Sequence, residues 1–291
     1  MKYKIVHHTS YVYDSPAVMC HNLVYQKPIL MGYQSVSKFK YHIEPEPEYL
    51  SIRNDFFENE VIFFSVLRSH SRLDVEVKSH VEVTVPDYAS LDFSQSLNWE
   101  AVVNWLHSNN AQLNIRQFFM ESDYVKFIPG VREYAMLSFT PERPVLEAVK
   151  ELTSRIFNDF SFTPGFTDVS TPLEEVFKER KGVCQDFAHF QLACLRSVGL
   201  AARYMSGYIE TLPPPGKPKL VGADASHAWI AVFVPNIGWV EFDATNNLVV
   251  KDQHIRAAVG RDFTDIVPLK GVVYSGGTQQ MQVSVDVRKE E

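Results

Sequence analysis

Residues 182–200, GVCQDFAHFQLACLRSVGL, decide how the chain is interpreted. Apolar residues recur at helical spacing and give one apolar face, which includes Phe187, Phe190 and Val198. Gly199 is suited to end the helix, because glycine readily adopts the left-handed conformation found after a last helical turn. The pattern predicts a buried helix with Cys184 in its first turn.

Strand-like segments follow this helix. Apolar and polar residues alternate, or apolar residues run together, in RYMSGYIE (203–210), HAWIAVFV (227–234) and WVEFDAT (239–245). The segment PNIG (235–238) separates the last two runs and predicts a hairpin turn. Because side chains alternate along a strand, His227 and Trp229 share one face, and Glu241 and Asp243 share one.

The register of this hairpin decides whether His227 and Asp243 can meet. Opposed residues in an antiparallel pair point to the same face, and their numbers have a constant sum. Regular closure that pairs Val234 with Trp239 gives an odd sum and places the two residues on opposite faces. Pairing Val234 with Gly238 gives an even sum and makes them diagonal neighbours. We therefore predict an odd-length loop or a β-bulge, with Gly238 as the site of the special backbone angle.

The region upstream of the Cys184 helix changes character twice. Short alternating segments up to about residue 87 predict a β-rich unit, and helical spacing begins near residue 98 and again near residue 142. In the second helical stretch Thr140 and Pro141 are suited to a helix start. The sequence therefore predicts an α+β protein with a β-rich, sandwich-like N-terminal domain (1–90), a helical connection (91–140) and a catalytic core (141–291).

Composition excludes several classes of function. With 45% hydrophobic and 22% charged residues over 291 positions, the chain has the composition of a folded globular protein. Its net charge is −7 and its basic residues are scattered, so neither nucleic acid nor a membrane surface is an expected partner. No apolar stretch has the length of a signal peptide or a membrane span, which predicts a soluble, cytoplasmic protein. The oligomeric state is left open.

Cys184 is the strongest candidate for a catalytic nucleophile. A helix N-terminus or a neighbouring imidazolium can lower the pKa of a cysteine and favour the reactive thiolate. Most cysteines are inert core residues, and we assign Cys20 and Cys194 to the core. Three cysteines without a CxxC pair also make a disulfide framework improbable.

His227 and Asp243 can supply the base and the group that orients it. Taken singly, each residue has a simpler explanation: a histidine in a strand is often a satisfied interior residue, and Asp243 could cap a turn. A metal site built from Cys184, His189, His227 and Asp243 is a minor alternative, since the spacing of Cys184 and His189 separates them around the helix.

Four consecutive stretches resemble the bacterial transglutaminase-like family of candidate cysteine proteases. They are KGVCQDFAHF (181–190), ARYMSGYIET (202–211), ASHAWIAVFVPNIGWVEFDAT (225–245) and AVGRDFTDIVPLKGVVYSGG (258–277). Residues 7–28 and 55–64 are similar to the β-rich N-terminal domain that accompanies this core. The chain departs from the family pattern at Glu58, where a turn glycine is usual, and at Ala244, where proline is usual.

The resemblance implies a papain-like arrangement, in which a helix bearing the nucleophile packs on an antiparallel sheet that carries the other two residues. Matched residue by residue, the nucleophile is Cys184, the base His227 and the acid Asp243. The implied function is cysteine-dependent acyl transfer or hydrolysis on a peptide or protein substrate, foremost as a thiol protease or amidase. An amine-accepting transglutaminase and a catalytically silent binding module are the alternatives. We expect no cofactor or metal, and no EF-hand-like loop indicates calcium dependence.

Overall fold

Two four-stranded antiparallel sheets form a sandwich in the computed structural model, which describes residues 1–108, 111–210, 224–274 and 277–290. Six strands come from the N-terminal part: β1 (Lys2–Ala17), β2 (Met19–Val24), β3 (Gln34–Glu44), β4 (Tyr49–Asn54), β5 (Glu60–Val66) and β6 (His70–Val83). The sandwich core follows from period-two alternation, as in β6, where Leu73, Val75 and Val77 are buried between more exposed neighbours.

The last two strands of the chain complete the sandwich. They are β14 (Leu269–Tyr274), which pairs with β2, and β15 (Gln279–Glu290), which pairs with β1. The strand orders are β15-β1-β6-β3 in one sheet and β14-β2-β5-β4 in the other. The predicted domain boundaries assign both terminal strands to the core, whereas their hydrogen bonds join them to the N-terminal strands. Pairing between strands so far apart in sequence is not encoded in local periodicity.

Six helices connect and cover the sheets in the described residues. They are α1 (Trp99–His107), α2 (Leu113–Arg116), α3 (Val131–Met136), α4 (Val145–Asp159), α5 (Leu173–Glu179) and α6 (Cys184–Ser197), with 3-10 turns at Asp87–Ser90, Phe93–Gln95 and Gln117–Phe119. Helix α4 begins at Val145 rather than at Pro141, since Pro144 disfavours helical angles at the residue before it. None of the helices in the described ranges is long and apolar enough to cross a membrane.

A five-stranded antiparallel sheet forms the centre of the core. Its strands are β9 (Ala202–Ile209), β10 (Ser226–Val234), β11 (Gly238–Asp243), β12 (Leu248–Val249) and β13 (His254–Gly260), in the order β12-β11-β10-β9-β13, and a short parallel pair joins β7 (Ser161–Phe162) to β8 (Lys181–Gly182). The apolar residues of α6 pack on one face of the sheet, where Ala228, Ile230 and Val232 are buried. The architecture is α+β, with a papain-like helix on an antiparallel sheet.

The sandwich packs directly on the edge of the core sheet. An apolar cluster joins Tyr3, Ile5 and Val287 of the sandwich to Tyr208 and Ile255 of the core. This contact holds β13, the edge strand, in a fixed place beside the rest of the core sheet.

Candidate active site

Cys184 is the first residue of α6, and Asp186 holds the start of that helix. The Oδ2 atom of Asp186 accepts hydrogen bonds from the Val183 backbone N–H and the Thr167 hydroxyl, each at 2.7 Å. A Cβ atom on Gly182 would lie 2.6 Å from the same oxygen, so glycine leaves room for this cap. The cap fixes the position of Cys184, which gives Asp186 a role that its sequence pattern does not indicate.

Exposure distinguishes Cys184 from the other two cysteines. Cys184 is half-buried. Cys20 is buried in the apolar core of the sandwich, and Cys194 is buried in the apolar cluster around α6. Burial raises the pKa of the Cys194 thiol and also that of Cys20. Both residues therefore behave as the core cysteines that the sequence predicts.

The hairpin has the predicted even register. Val234 pairs with Gly238, and a three-residue loop (235–237) closes the turn. Gly238 has a φ of 95°, in the left-handed region, and Asn236, with a φ of 67°, shares that conformation. The odd-length loop and the special angle at Gly238 are confirmed, and His227 and Asp243 lie on the same face of the sheet.

Two parallel hydrogen bonds connect β10 to β11 on this face. The Nε2 atom of His227 donates to Oδ2 of Asp243 at 2.7 Å. One step further into the sheet, Nε1 of Trp229 donates to Oε2 of Glu241, also at 2.7 Å. Alternation along each strand explains why the two pairs lie side by side.

Asp243 is fully buried and accepts five hydrogen bonds. Its Oδ2 atom accepts from Nε2 of His227 at 2.7 Å, from Nε2 of His254 at 2.9 Å and from Nδ2 of Asn246 at 2.7 Å. Its Oδ1 atom accepts from the backbone N–H groups of Thr245 at 2.9 Å and Asn246 at 3.2 Å. Burial favours the neutral acid, but the hydrogen bonds from His227 and His254 and the charge of His227 hold the pKa of Asp243 well below its usual range. The carboxylate is therefore ionised and fixed in orientation.

His254 is the residue at this site that sequence reasoning missed. It is the first residue of β13 and is fully buried. The one signal in the sequence is the presence of two polar residues, His254 and Arg256, in the mostly apolar run HIRAAVG (254–260).

The surroundings of His227 favour its protonated form. Burial lowers the pKa of His227, but the hydrogen bond that it donates to Asp243, the nearby Cys184 thiol and the charges of both groups outweigh burial and raise this pKa to about 10. Because Asp243 occupies Nε2, Nδ1 is the ring atom left to face the thiol. His227 lies one residue from the beginning of β10, where the end of the sheet meets the start of α6.

The residues of the minor metal alternative do not come together as one ligand set. His189 lies apart from the hairpin: its Nε2 atom accepts the Phe263 backbone N–H at 3.2 Å, its ring stacks on Tyr124, and burial lowers its pKa to about 3. In the described ranges, the atoms of His227, Asp243 and His254 lie within 4.8 Å of one another and could in principle hold an ion. Hydrogen bonds account for this arrangement, since the Nε2–H group of each imidazole donates to the same carboxylate oxygen.

A cleft of about 320 Å³ gives access to His227. Its other lining residues are Phe162, Ile209, Thr245 and Asn246. Phe162 is half-exposed at 53%, so the lining combines an accessible aromatic ring with the hydroxyl and amide groups of Thr245 and Asn246.

Comparison with known families agrees with this architecture. Residues 136–244, which contain Cys184, His227 and Asp243, match the transglutaminase-like superfamily. Residues 3–82 match the bacterial transglutaminase-like N-terminal region, which corresponds to strands β1 to β6. The chain belongs to the transglutaminase-like superfamily.

Individual relatives resemble the chain over the whole or a part of its length. An uncharacterized protein of Mycobacterium tuberculosis is 36% identical over 98% of this chain and 92% of its own length. The crystal structure of a candidate cysteine protease from Cytophaga hutchinsonii has a TM-score of 0.77 and 22% identity, and the match covers 100% of this chain and 92% of that one, which shows a shared fold. A protein-glutamine gamma-glutamyltransferase of Pseudomonas aeruginosa is 28% identical over 40% of this chain and 18% of its own length.

Proposed function

We propose that this protein is a thiol protease or amidase with Cys184 as nucleophile, His227 as general base and acid, and Asp243 as the residue that orients the imidazole. The observation that carries the proposal is the position of His227, which donates a hydrogen bond to Asp243 at 2.7 Å and lies near enough to Cys184 for the thiol to raise its pKa. An imidazole that holds its proton to about pH 10 stabilises a thiolate beside it.

The reaction begins when the Cys184 thiolate attacks a carboxamide or peptide carbonyl carbon and forms a C–S bond. The developing oxyanion accepts a hydrogen bond from the backbone N–H of Cys184 at the helix start. The C–N bond then breaks, and the His227 imidazolium gives its proton to the leaving amine. Water, deprotonated by the neutral imidazole, attacks the thioester and releases the acid and the thiolate.

An amine-accepting transglutaminase is the second candidate, because a relative named protein-glutamine gamma-glutamyltransferase matches part of this chain. A primary amine would replace water in the second step and form a new amide with the same three residues. The third candidate, a silent binding module, is disfavoured because the chain retains all three residues of the proposed triad.

The proposal predicts an acyl-enzyme on Cys184. A library of glutamine-containing peptides would be incubated with the full chain, with and without monodansylcadaverine as amine, and the protein and products analysed by mass spectrometry. We expect a thioester at Cys184, carboxylate products without the amine, and complete loss of turnover in Cys184→Ala. Cys20→Ala, which changes a buried thiol in the sandwich, is the matched control and should stay active. Turnover that survives in Cys184→Ala would refute the mechanism.

A further inference from the structure

His254 reaches the proposed triad from the far edge of the core sheet. It lies on β13, whereas Asp243 lies on β11, and two strands separate them in the sheet order. Gly207 on β9 makes this approach feasible, because a Cβ atom there would lie 1.9 Å from the Ile255 carbonyl oxygen and 2.8 Å from the Trp229 ring. The absence of a side chain lets β13 and the Trp229 ring come close to β9.

His254 is enclosed by protein on all sides. It has no exposed surface, and its ring packs edge-on against Trp229, with ring centres 4.9 Å apart. The centre of the His227 ring, which donates to the same carboxylate oxygen, is 5.7 Å away. His254 does not line the cleft that contains His227, so it cannot touch a substrate and can act only through Asp243.

The two histidines that share Asp243 differ in protonation. Burial lowers the pKa of His254, and the positive charges of His227 and Arg256 lower it further. The hydrogen bond to Asp243 and the charge of that carboxylate raise the pKa but do not reverse the net decrease. The Nδ1 atom of His254 has no hydrogen-bond partner among the described residues. If His254 is neutral with its proton on Nε2, Nδ1 is an acceptor without a donor. If His254 is an imidazolium, Nδ1–H is a buried charged donor without an acceptor, which costs more free energy. His254 is therefore a neutral donor, and His227 is the charged one.

We infer that His254 is a positioning residue, whose neutral Nε2–H fixes the Asp243 carboxylate so that it can orient the His227 imidazole toward Cys184. The inference rests on the proposed function. The hydrogen bond concerned runs from Nε2 of His254 to Oδ2 of Asp243 at 2.9 Å. An amide N–H at the same place should serve as well, whereas an aromatic ring without a donor should not.

Two substitutions separate the hydrogen bond from the packing. His254→Gln keeps an N–H near the position of Nε2 and loses the ring, whereas His254→Phe keeps a ring against Trp229 and loses the donor. The rate of Cys184 alkylation by iodoacetamide would be measured in the full chain from pH 4 to 9 by peptide mass, which requires no knowledge of the substrate. His254→Leu is a second donor-free variant in case His254→Phe does not fold, and circular dichroism would establish folding of each.

We expect His254→Gln to label like the wild type and the donor-free variants to label about tenfold more slowly at pH 5.5, which corresponds to a one-unit shift in the pH midpoint. Equal rates in wild type and the donor-free variants would overturn the inference, and so would equal slowing in all of the His254 variants, which would indicate packing alone. Asp243→Asn is the reference for the proposed function. If it labels like the wild type, the triad itself fails; if it is slow while His254→Phe is not, only the role of His254 fails.

Discussion

The protonation of His227 depends mainly on a neighbouring carboxylate. Burial by itself would lower the pKa of this imidazole, and the ionised Asp243 is the main group that reverses the effect and raises the pKa to about 10. At neutral pH the histidine therefore carries a proton.

Asp243→Asn should lower the pKa of His227 by about 1–3 units, because an adjacent opposite charge is removed while burial remains. The imidazole resonances followed by NMR as a function of pH would give this value directly. Slower alkylation of Cys184 at pH 6 should accompany the change. Asp168→Asn, which alters an exposed carboxylate, is the matched control. An unchanged His227 titration in Asp243→Asn would show that another group sets this pKa.

The turn before β5 contains a residue in a strained conformation. Glu58 has a φ of 66°, a region that favours glycine, and it occupies the position where a glycine was expected from the family pattern. Its side chain accepts one exposed hydrogen bond, from Asn54 at 3.3 Å, which offsets little of the strain.

Glu58→Gly should therefore raise the free energy of unfolding by about 0.5–1 kcal/mol, since glycine adopts this conformation without a steric cost and loses part of the gain through its greater unfolded-state entropy. Urea denaturation would measure the change. Glu58→Ala removes the same carboxylate but keeps a Cβ atom, and it should not stabilise the protein. If both variants gained equally, charge rather than backbone conformation would be the cause.

Side chains of the sandwich complete the edge of the core sheet. The Gln34 amide donates to the Arg256 carbonyl and accepts the Arg256 N–H, each at 2.8 Å. Asn59 does the same for Val259, also at 2.8 Å in both directions. Both amides are buried, and they satisfy backbone groups of β13 that would otherwise need another strand.

Gln34→Ala and Asn59→Ala should each lower the free energy of unfolding by about 1–3 kcal/mol, because each leaves a buried backbone group of β13 unpaired. Asn59→Ala removes the partner of both the Val259 N–H and the Val259 carbonyl. Gln34→Ala leaves the Arg256 N–H unpaired, whereas the Arg256 carbonyl still accepts the Ile29 N–H at 3.0 Å. Urea denaturation would give the energies, and hydrogen exchange at the Arg256 and Val259 amides should accelerate selectively. Ser37→Ala removes an exposed hydrogen bond of the same sandwich and should change stability by less than about 0.5 kcal/mol. Losses that small in Gln34→Ala and Asn59→Ala would mean that the apolar contact alone joins the two parts.

Features that depend on local periodicity could be predicted from the amino-acid sequence. Helical spacing placed Cys184 at the start of α6, and strand parity with the PNIG segment predicted the register that brings His227 and Asp243 to one face. Both follow from the chirality and repeat of the backbone, which act over a few residues. The roles of those three residues in chemistry stay a prediction for the experiments above.

Contacts between residues distant in sequence could not be predicted in this way. The contact of His254 with Asp243 requires β13 to lie at the far edge of the sheet, and the return of β14 and β15 to the sandwich joins residues more than 200 positions apart. Nothing in the periodicity of a segment specifies its neighbour, since any strand with an apolar face can pair with several others. Packing of the complete chain selects one arrangement, and His254 entered the site through that selection.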